Sequence, residues 1–134
     1  MAFVSTALLL AACSNGAPPP ERSIAMSGSF RDEPGNRIYT MSLRNGTEQS
    51  EVVRDAMSLP FTIGQVTAAY YYPEGAVVPA DGVTLARTLN KANAVIYQDP
   101  AMGKWRYAYM RSFSGSNATF VDCETDQGND LCRK

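Results

Sequence analysis

The sequence predicts an α+β domain: a small antiparallel sheet with one or two helices packed on one face, in the order ββαβαβββ. Three observations carry this expectation. Several short segments alternate apolar and polar side chains with the period of two of a half-buried strand. One segment spaces its apolar residues as a helix does. Clusters of Pro, Gly, Asn and Asp separate the pieces and supply the turns. Strands that follow one another with a helix between them fold into a sheet with helices against it.

Arg22 to Arg31 alternates, with Ile24, Met26 and Phe30 set to face one way and Gly28 interrupting. Arg37 to Arg44 alternates too and groups Tyr39, Met41 and Leu43. Between them lies Asp32-Glu33-Pro34-Gly35-Asn36. Pro34 presets the first φ of a type II turn and Gly35 supplies the positive one, so a β-hairpin is expected. After Asn45-Gly46-Thr47, either Asn45 or Thr47 is placed to cap a helix, with Glu48 three residues after Asn45. Val52, Val53, Ala56 and Met57 make its apolar stripe, Glu48, Glu51, Arg54 and Asp55 its outer face, and Pro60 its stop.

Ile63 to Tyr72 is rich in β-branched and aromatic residues and predicts a strand. Pro73 to Gly82 predicts a long loop, and Val83 to Asn93 a short helix with Leu85, Ala86, Leu89 and Ala92 on one side. Ala94 to Gln98, Lys104 to Phe113 and Ala118 to Glu124 predict three further strands, joined by turns over 99–103 and 114–117. No internal repeat is visible.

Composition excludes several classes of function. The chain has 134 residues, 45% hydrophobic and 19% charged, which suits one packed core rather than disorder. Twelve Lys and Arg against thirteen Asp and Glu give a net charge of −1. No basic stripe is available to displace phosphate counterions, so nucleic acid is not an expected partner. There is no histidine. That excludes Ser-His-Asp and Cys-His catalysis within the chain and removes the commonest metal ligand.

From Ala2 to Ala12 the chain carries no charge and is mostly apolar. The run is shorter than the roughly 20 residues a spanning helix needs and matches the core of a signal peptide. It ends in Leu10-Ala11-Ala12-Cys13. This resembles the lipobox of bacterial lipoproteins, over the first thirteen or so residues. The resemblance implies a diacylglyceryl thioether on Cys13, cleavage between Ala12 and Cys13, and usually an acyl group, such as palmitate, on the new amino terminus. Residues 1–12 would then be a signal peptide and residues 13–21 a lipidated N-terminus with a linker. Ser14 implies export to the outer membrane, facing the periplasm. No Lys or Arg precedes the apolar run, a departure from the usual positive n-region that leaves open a start upstream of Met1. Next, Ser14-Asn15-Gly16-Ala17-Pro18-Pro19-Pro20-Glu21, small polar residues and three prolines, reads as a partly extended tether. Residues 22–134 are left as the folded domain.

With Cys13 assigned to lipid, Cys123 and Cys132 remain as an even pair, expected to oxidise outside the cytoplasm and staple the C-terminal tail. A redox role is disfavoured by the absence of a Cys-X-X-Cys spacing and of histidine.

Four features compete as functional sites. Trp105, Tyr107, Tyr109 and Phe113 fall on one side of a strand, with Tyr70, Tyr71 and Tyr72 in another. Exposed, these rings would form a platform for a glycan or a protein; buried, they are core, and the core reading is favoured for Trp105 and Tyr107. Asp122, Glu124, Asp126 and Asp130 around Gly128 do not keep the spacing of a calcium loop and read as solvated charge. Glu48, Glu51, Asp55, Asp32 and Glu33 read as surface acids rather than a hydrolytic pair. Asn45-Gly46-Thr47 and Asn117-Ala118-Thr119 match a glycosylation pattern without meaning in a bacterial envelope.

The expected function is therefore that of a non-enzymatic cell-envelope lipoprotein, held to the lipid bilayer through acylated Cys13, that acts as a protein-binding accessory or assembly factor. No cofactor and no metal are expected. The alternative is a periplasmic or surface ligand- or glycan-binding module using the Tyr/Trp platform. An enzyme limited to carboxylates and tyrosines is the remaining reading and would need two acids converging in a cleft.

Overall fold

The alternating segments pair into a five-stranded sheet with strand order β1-β2-β3-β4-β5. The computed structural model describes residues 22–112, 114 and 117–134. The expected signal peptide and linker, with Cys13, and Phe113 lie outside the described residues. The strands are β1 (Ile24–Arg31), β2 (Arg37–Leu43), β3 (Val66–Tyr72), β4 (Tyr107–Ser112) and β5 (Asn117–Asp122). The helices are α1 (Gln49–Met57), α2 (Asp81–Thr84) and α3 (Leu89–Gln98), and a 3-10 turn covers Asp130–Cys132. The α+β class stands. Among the described residues no helix is long and apolar enough to cross a membrane.

The sheet is mixed rather than antiparallel: β2 pairs with β3 in parallel, and the other neighbours are antiparallel. The cause is α1. It carries the chain back along the sheet, so β3 starts at the same end as β2. The helices also lie on both faces, not one. Val52 and Ala56 of α1 pack with Tyr39, Met41, Leu43 and Tyr71. Ala92 and Ile96 of α3 and Val83 of α2 pack with Phe30, Ile38, Tyr70 and Tyr72. A strand covered on both faces needs apolar side chains at every position. Val66–Tyr72 is buried continuously from Thr67, and the one aliphatic hydroxyl in it, that of Thr67, is satisfied by donating to the Pro60 carbonyl at 2.7 Å.

The hairpin at 32–36 closes one residue earlier than expected. The Gly35 N–H donates to the Asp32 carbonyl at 3.2 Å, so Glu33 and Pro34 are the central pair. The Asp32 carboxylate directs this, since Oδ1 accepts the N–H groups of Gly35 (3.0 Å) and Asn36 (2.7 Å). Gly35 still has φ of +108°, the left-handed region glycine tolerates.

Ile24, Met26 and Phe30 do not share a face. A bulge between Met26 and Gly28 shifts the register, so Met26 pairs with Met41 on the α1 side and Phe30 with Ile38 on the α3 side. Gly28 fits this place because the α2 approach lies against it. A Cβ there would sit 2.6 Å from Thr40 Oγ1 and 3.0 Å from the carbonyl oxygens of Pro79 and Ala80. The Thr40 hydroxyl donates to the Pro79 carbonyl and ties the loop down.

Two helix expectations change. Neither Asn45 nor Thr47 caps α1; its first turn follows Glu48 without a side-chain cap, and the Thr47 hydroxyl bonds back to the Arg44 carbonyl. The strand expected over 94–98 is the second half of α3. Thr88 Oγ1 accepts the Lys91 N–H at 3.2 Å and starts the helix. Ala92 and Ile96, four residues apart, then bury the same side. The element order among the described residues is thus ββαβααββ.

Candidate functional site

Tyr70, Tyr71, Tyr72, Trp105, Tyr107 and Tyr109 are each 3% exposed or less. The exposed platform is therefore not present: these six rings are the core. They also do not share a face. Tyr70, Tyr72 and Trp105 lie under α3, whereas Tyr71, Tyr107 and Tyr109 lie under α1. Trp105 departs from the expected stripe because it precedes β4 and the pleat does not govern it. Its ring stands edge-on to Tyr97 (4.9 Å between centroids) and Tyr70 (5.1 Å), the geometry the aromatic quadrupole prefers. Its Nε1–H donates to the Leu131 carbonyl at 2.9 Å.

Each buried phenol has its own environment. The Tyr71 hydroxyl donates to Asp55 Oδ2 at 2.7 Å. Burial, then this bond and the Asp55 charge, push the Tyr71 phenol far above its ordinary value. Burial and the neighbouring Tyr97 do the same for Tyr70 and Tyr72. A group whose pKa is raised by folding holds its proton more tightly in the native state. Its stabilising effect is complete below the unfolded tyrosine value of about 10 and is lost as pH rises past it. In an alkaline titration followed at 295 nm, these phenols should ionise late and steeply, together with loss of the circular dichroism signal. A gradual titration centred near pH 10 in the folded protein would show that the rings are accessible.

The cysteines meet the expectation for them. Cys123 and Cys132 form a disulfide with a Cα–Cα distance of 5.4 Å. It fastens the 3-10 turn beside Trp105. Closing so short a loop stabilises by about 2.7 kcal/mol in the chain-entropy account.

The acidic groups disperse into local structure. Arg106 meets Asp122 at 3.6 Å and Glu124 at 3.1 Å. Asp126 accepts from Asn129, and Asp130 pairs with Arg133. Asp32 holds its turn, and Asp55 holds Tyr71. Backbone and side-chain hydrogen bonds from Asn36 and Gly35 outweigh the effect of burial and keep the Asp32 carboxyl below its usual range.

Two concavities are better placed to hold something, and residue patterns did not reveal either. The first, the end cleft, has a volume of about 460 Å³. It opens where β2 and β3 end and β1 begins. Ala25, Pro73, Ala76 and Val78 give it an apolar lining; Arg22, Arg44 and Glu74 give it charge. Glu74 Oε2 accepts the Asn45 N–H at 2.7 Å, which closes one side. The parallel pair creates the cleft, because both strands run out at the same edge. Ligand sites favour the carboxyl ends of such strands. Its only sequence signal was the Pro- and Gly-rich stretch after β3.

The second concavity, of about 400 Å³, lies beside α3 and over β3 and β4. Asn90, Asn93 and Gln98 line it with Tyr70, Tyr97 and Met110. Of the predicted site residues, Tyr70 alone contributes. In sequence Asn90 and Asn93 fall in the expected helix and Gln98 at the end of an expected strand, so no signal brought the three together. Comparison of the chain with protein-family models, with curated proteins and with solved structures finds no match to any of them.

Proposed function

We propose that this chain is a non-enzymatic lipoprotein of the bacterial cell envelope, anchored through acylated Cys13, and that its domain binds a partner protein as an accessory or assembly factor. The lipobox Leu10-Ala11-Ala12-Cys13 carries the address. The Cys123–Cys132 bond is consistent with it, because structural disulfides persist in oxidising compartments. Ser14 favours the outer membrane, on its periplasmic side.

The end cleft supports the choice of partner. An apolar floor with a charged rim is how the pockets of protein interfaces are composed. Arg22 and Glu74 stand at that rim. A segment with an apolar anchor side chain fits that arrangement. Among the described residues Glu74 is the only acid lining the cleft, whereas carboxylate hydrolysis requires a pair.

Cross-linking in the native envelope, followed by purification and mass spectrometry, tests the reading. Ala25→Arg is the informative variant. Ala25 is exposed and lines the cleft, so the new side chain fills it without entering either core. A stoichiometric partner is expected with the wild-type chain and should be lost with Ala25→Arg. Capture of no partner by the lipidated chain, or equal capture by the variant, would overturn the reading.

A further inference from the structure

The pocket beside α3 is distinct in its chemistry. The end cleft carries Arg22, Arg44 and Glu74, and three shallower concavities among the described residues carry ionic side chains as well, among them Lys104, Arg87 and Asp55 respectively. The α3 pocket carries none. Its polar groups are three primary amides and two phenols, all neutral.

The fold explains both the opening and its lining. α3 packs against β1 and β2 through Ala92 and Ile96, and the disulfide-pinned tail packs against the start of β4. Between them the C-terminal half of β4, from Met110 on, is only partly covered, and Met110 lines the gap. Asn93 and Tyr97 lie four apart on α3, and Asn90 precedes Asn93 by one turn, so one side of the helix presents all three. Among the described residues the fold uses none of the three amides in an internal hydrogen bond. The phenols, by contrast, are fixed. The hydroxyls of Tyr97 and Tyr70 lie 2.8 Å apart and share a hydrogen bond. Their rings meet edge-on at 5.5 Å, which holds the floor of the pocket rigid. Next to them, the buried Tyr72 hydroxyl has no hydrogen-bond partner among the described residues.

We propose that this pocket binds a neutral polyhydroxylated ligand, a pyranose unit of a glycan, through Asn90, Asn93, Gln98 and the Tyr97 hydroxyl, which the buried Tyr70 holds in place. Each primary amide offers donors and an acceptor in one plane, which matches the adjacent hydroxyls of a sugar ring. Met110 supplies the apolar contact that the C–H face of such a ring requires. The volume lies at the small end of the range of about 300–1,000 Å³ for ligand pockets, suited to one or two sugar rings. The absence of charge selects against phosphate, carboxylate and amine ligands, which would be left without a counter-charge. The site shares no residue with the end cleft, so it stands or falls separately from partner binding.

The test is a titration of the isotope-labelled mature chain with N,N′-diacetylchitobiose and, in parallel, with cellobiose, followed by amide resonances. Saturable shifts at Asn93, Tyr97 and Gln98 are expected with at least one of them, with Kd on the order of 1 mM. Asn93→Ala, which places a better helix former on the surface, should weaken binding about tenfold or more while leaving the spectrum folded. Tyr97→Phe should weaken it as well, and Ala25→Arg should leave it unchanged. Binding should not depend on salt. No shifts with either sugar, shifts elsewhere on the domain, affinity unaltered in Asn93→Ala, or strong salt dependence would each overturn the proposal.

Discussion

Replacing Trp105 with alanine should destabilise the domain by about 3–5 kcal/mol, the range for removing a large buried ring. Trp105 is 2% exposed and joins three layers of the structure. It touches Tyr70 and Tyr72 of β3 and Tyr97 of α3. Its Nε1–H also satisfies the carbonyl of Leu131, next to the disulfide, so truncation leaves a cavity and releases the tail. A domain of this kind has only about 5–15 kcal/mol in total, so the variant should be partly unfolded on warming. Trp105→Phe keeps most of the ring and loses the hydrogen bond, and should cost less. Urea denaturation followed by circular dichroism measures both. An alanine variant within about 1 kcal/mol of wild type would show that Trp105 is not a core residue.

Changing Cys13 to serine should have the largest effect outside the folded domain. On the proposed reading, the wild-type chain in its native envelope loses Met1 to Ala12 and gains acyl groups on Cys13. Each buried methylene contributes about 0.8 kcal/mol, and two or more chains give stable anchoring. The serine variant has no thiol to accept the diacylglyceryl group. Its intact mass should show no acyl chains, and the firm membrane attachment should disappear while the domain folds as before. Intact mass is the decisive measurement, because an uncut apolar run of this length could still adsorb weakly to membranes. A wild-type chain that retains Met1 without acylation would remove the lipoprotein assignment, and with it the envelope address of the partner. The glycan pocket would be unaffected, because its argument rests only on residues of the folded domain.

How much was legible in the sequence depends on how local each determinant is. The alternation of β2 and the aromatic run of β3 are properties of short segments, and both strands appear where their patterns place them. The stripe Val52–Ala56 marked α1 for the same reason. At Ala94 to Gln98, five residues with Val, Ile and Tyr fit either a strand or a buried helix, and periodicity cannot separate these over so short a length. The Thr88 cap and the cover of the sheet decided for helix. The Met26–Phe30 face was misread because a bulge, fixed by the approach of Pro79 and Ala80 from elsewhere in the chain, inverts the alternation.

By itself, then, the sequence determined the α+β class, the position of most elements, the cysteine pairing and the exclusion of histidine chemistry. These follow from local periodicity, turn residues, simple counting and composition. Only the tertiary structure decided that β2 and β3 run parallel, that α1 and α3 take opposite faces, that Trp105 leaves the aromatic stripe, and that the six rings are core. It alone formed the end cleft and the amide-lined pocket. The physical reason is common to all of these. Burial and concavity are set by which distant segments cover one another, and no segment's own side-chain pattern contains that information.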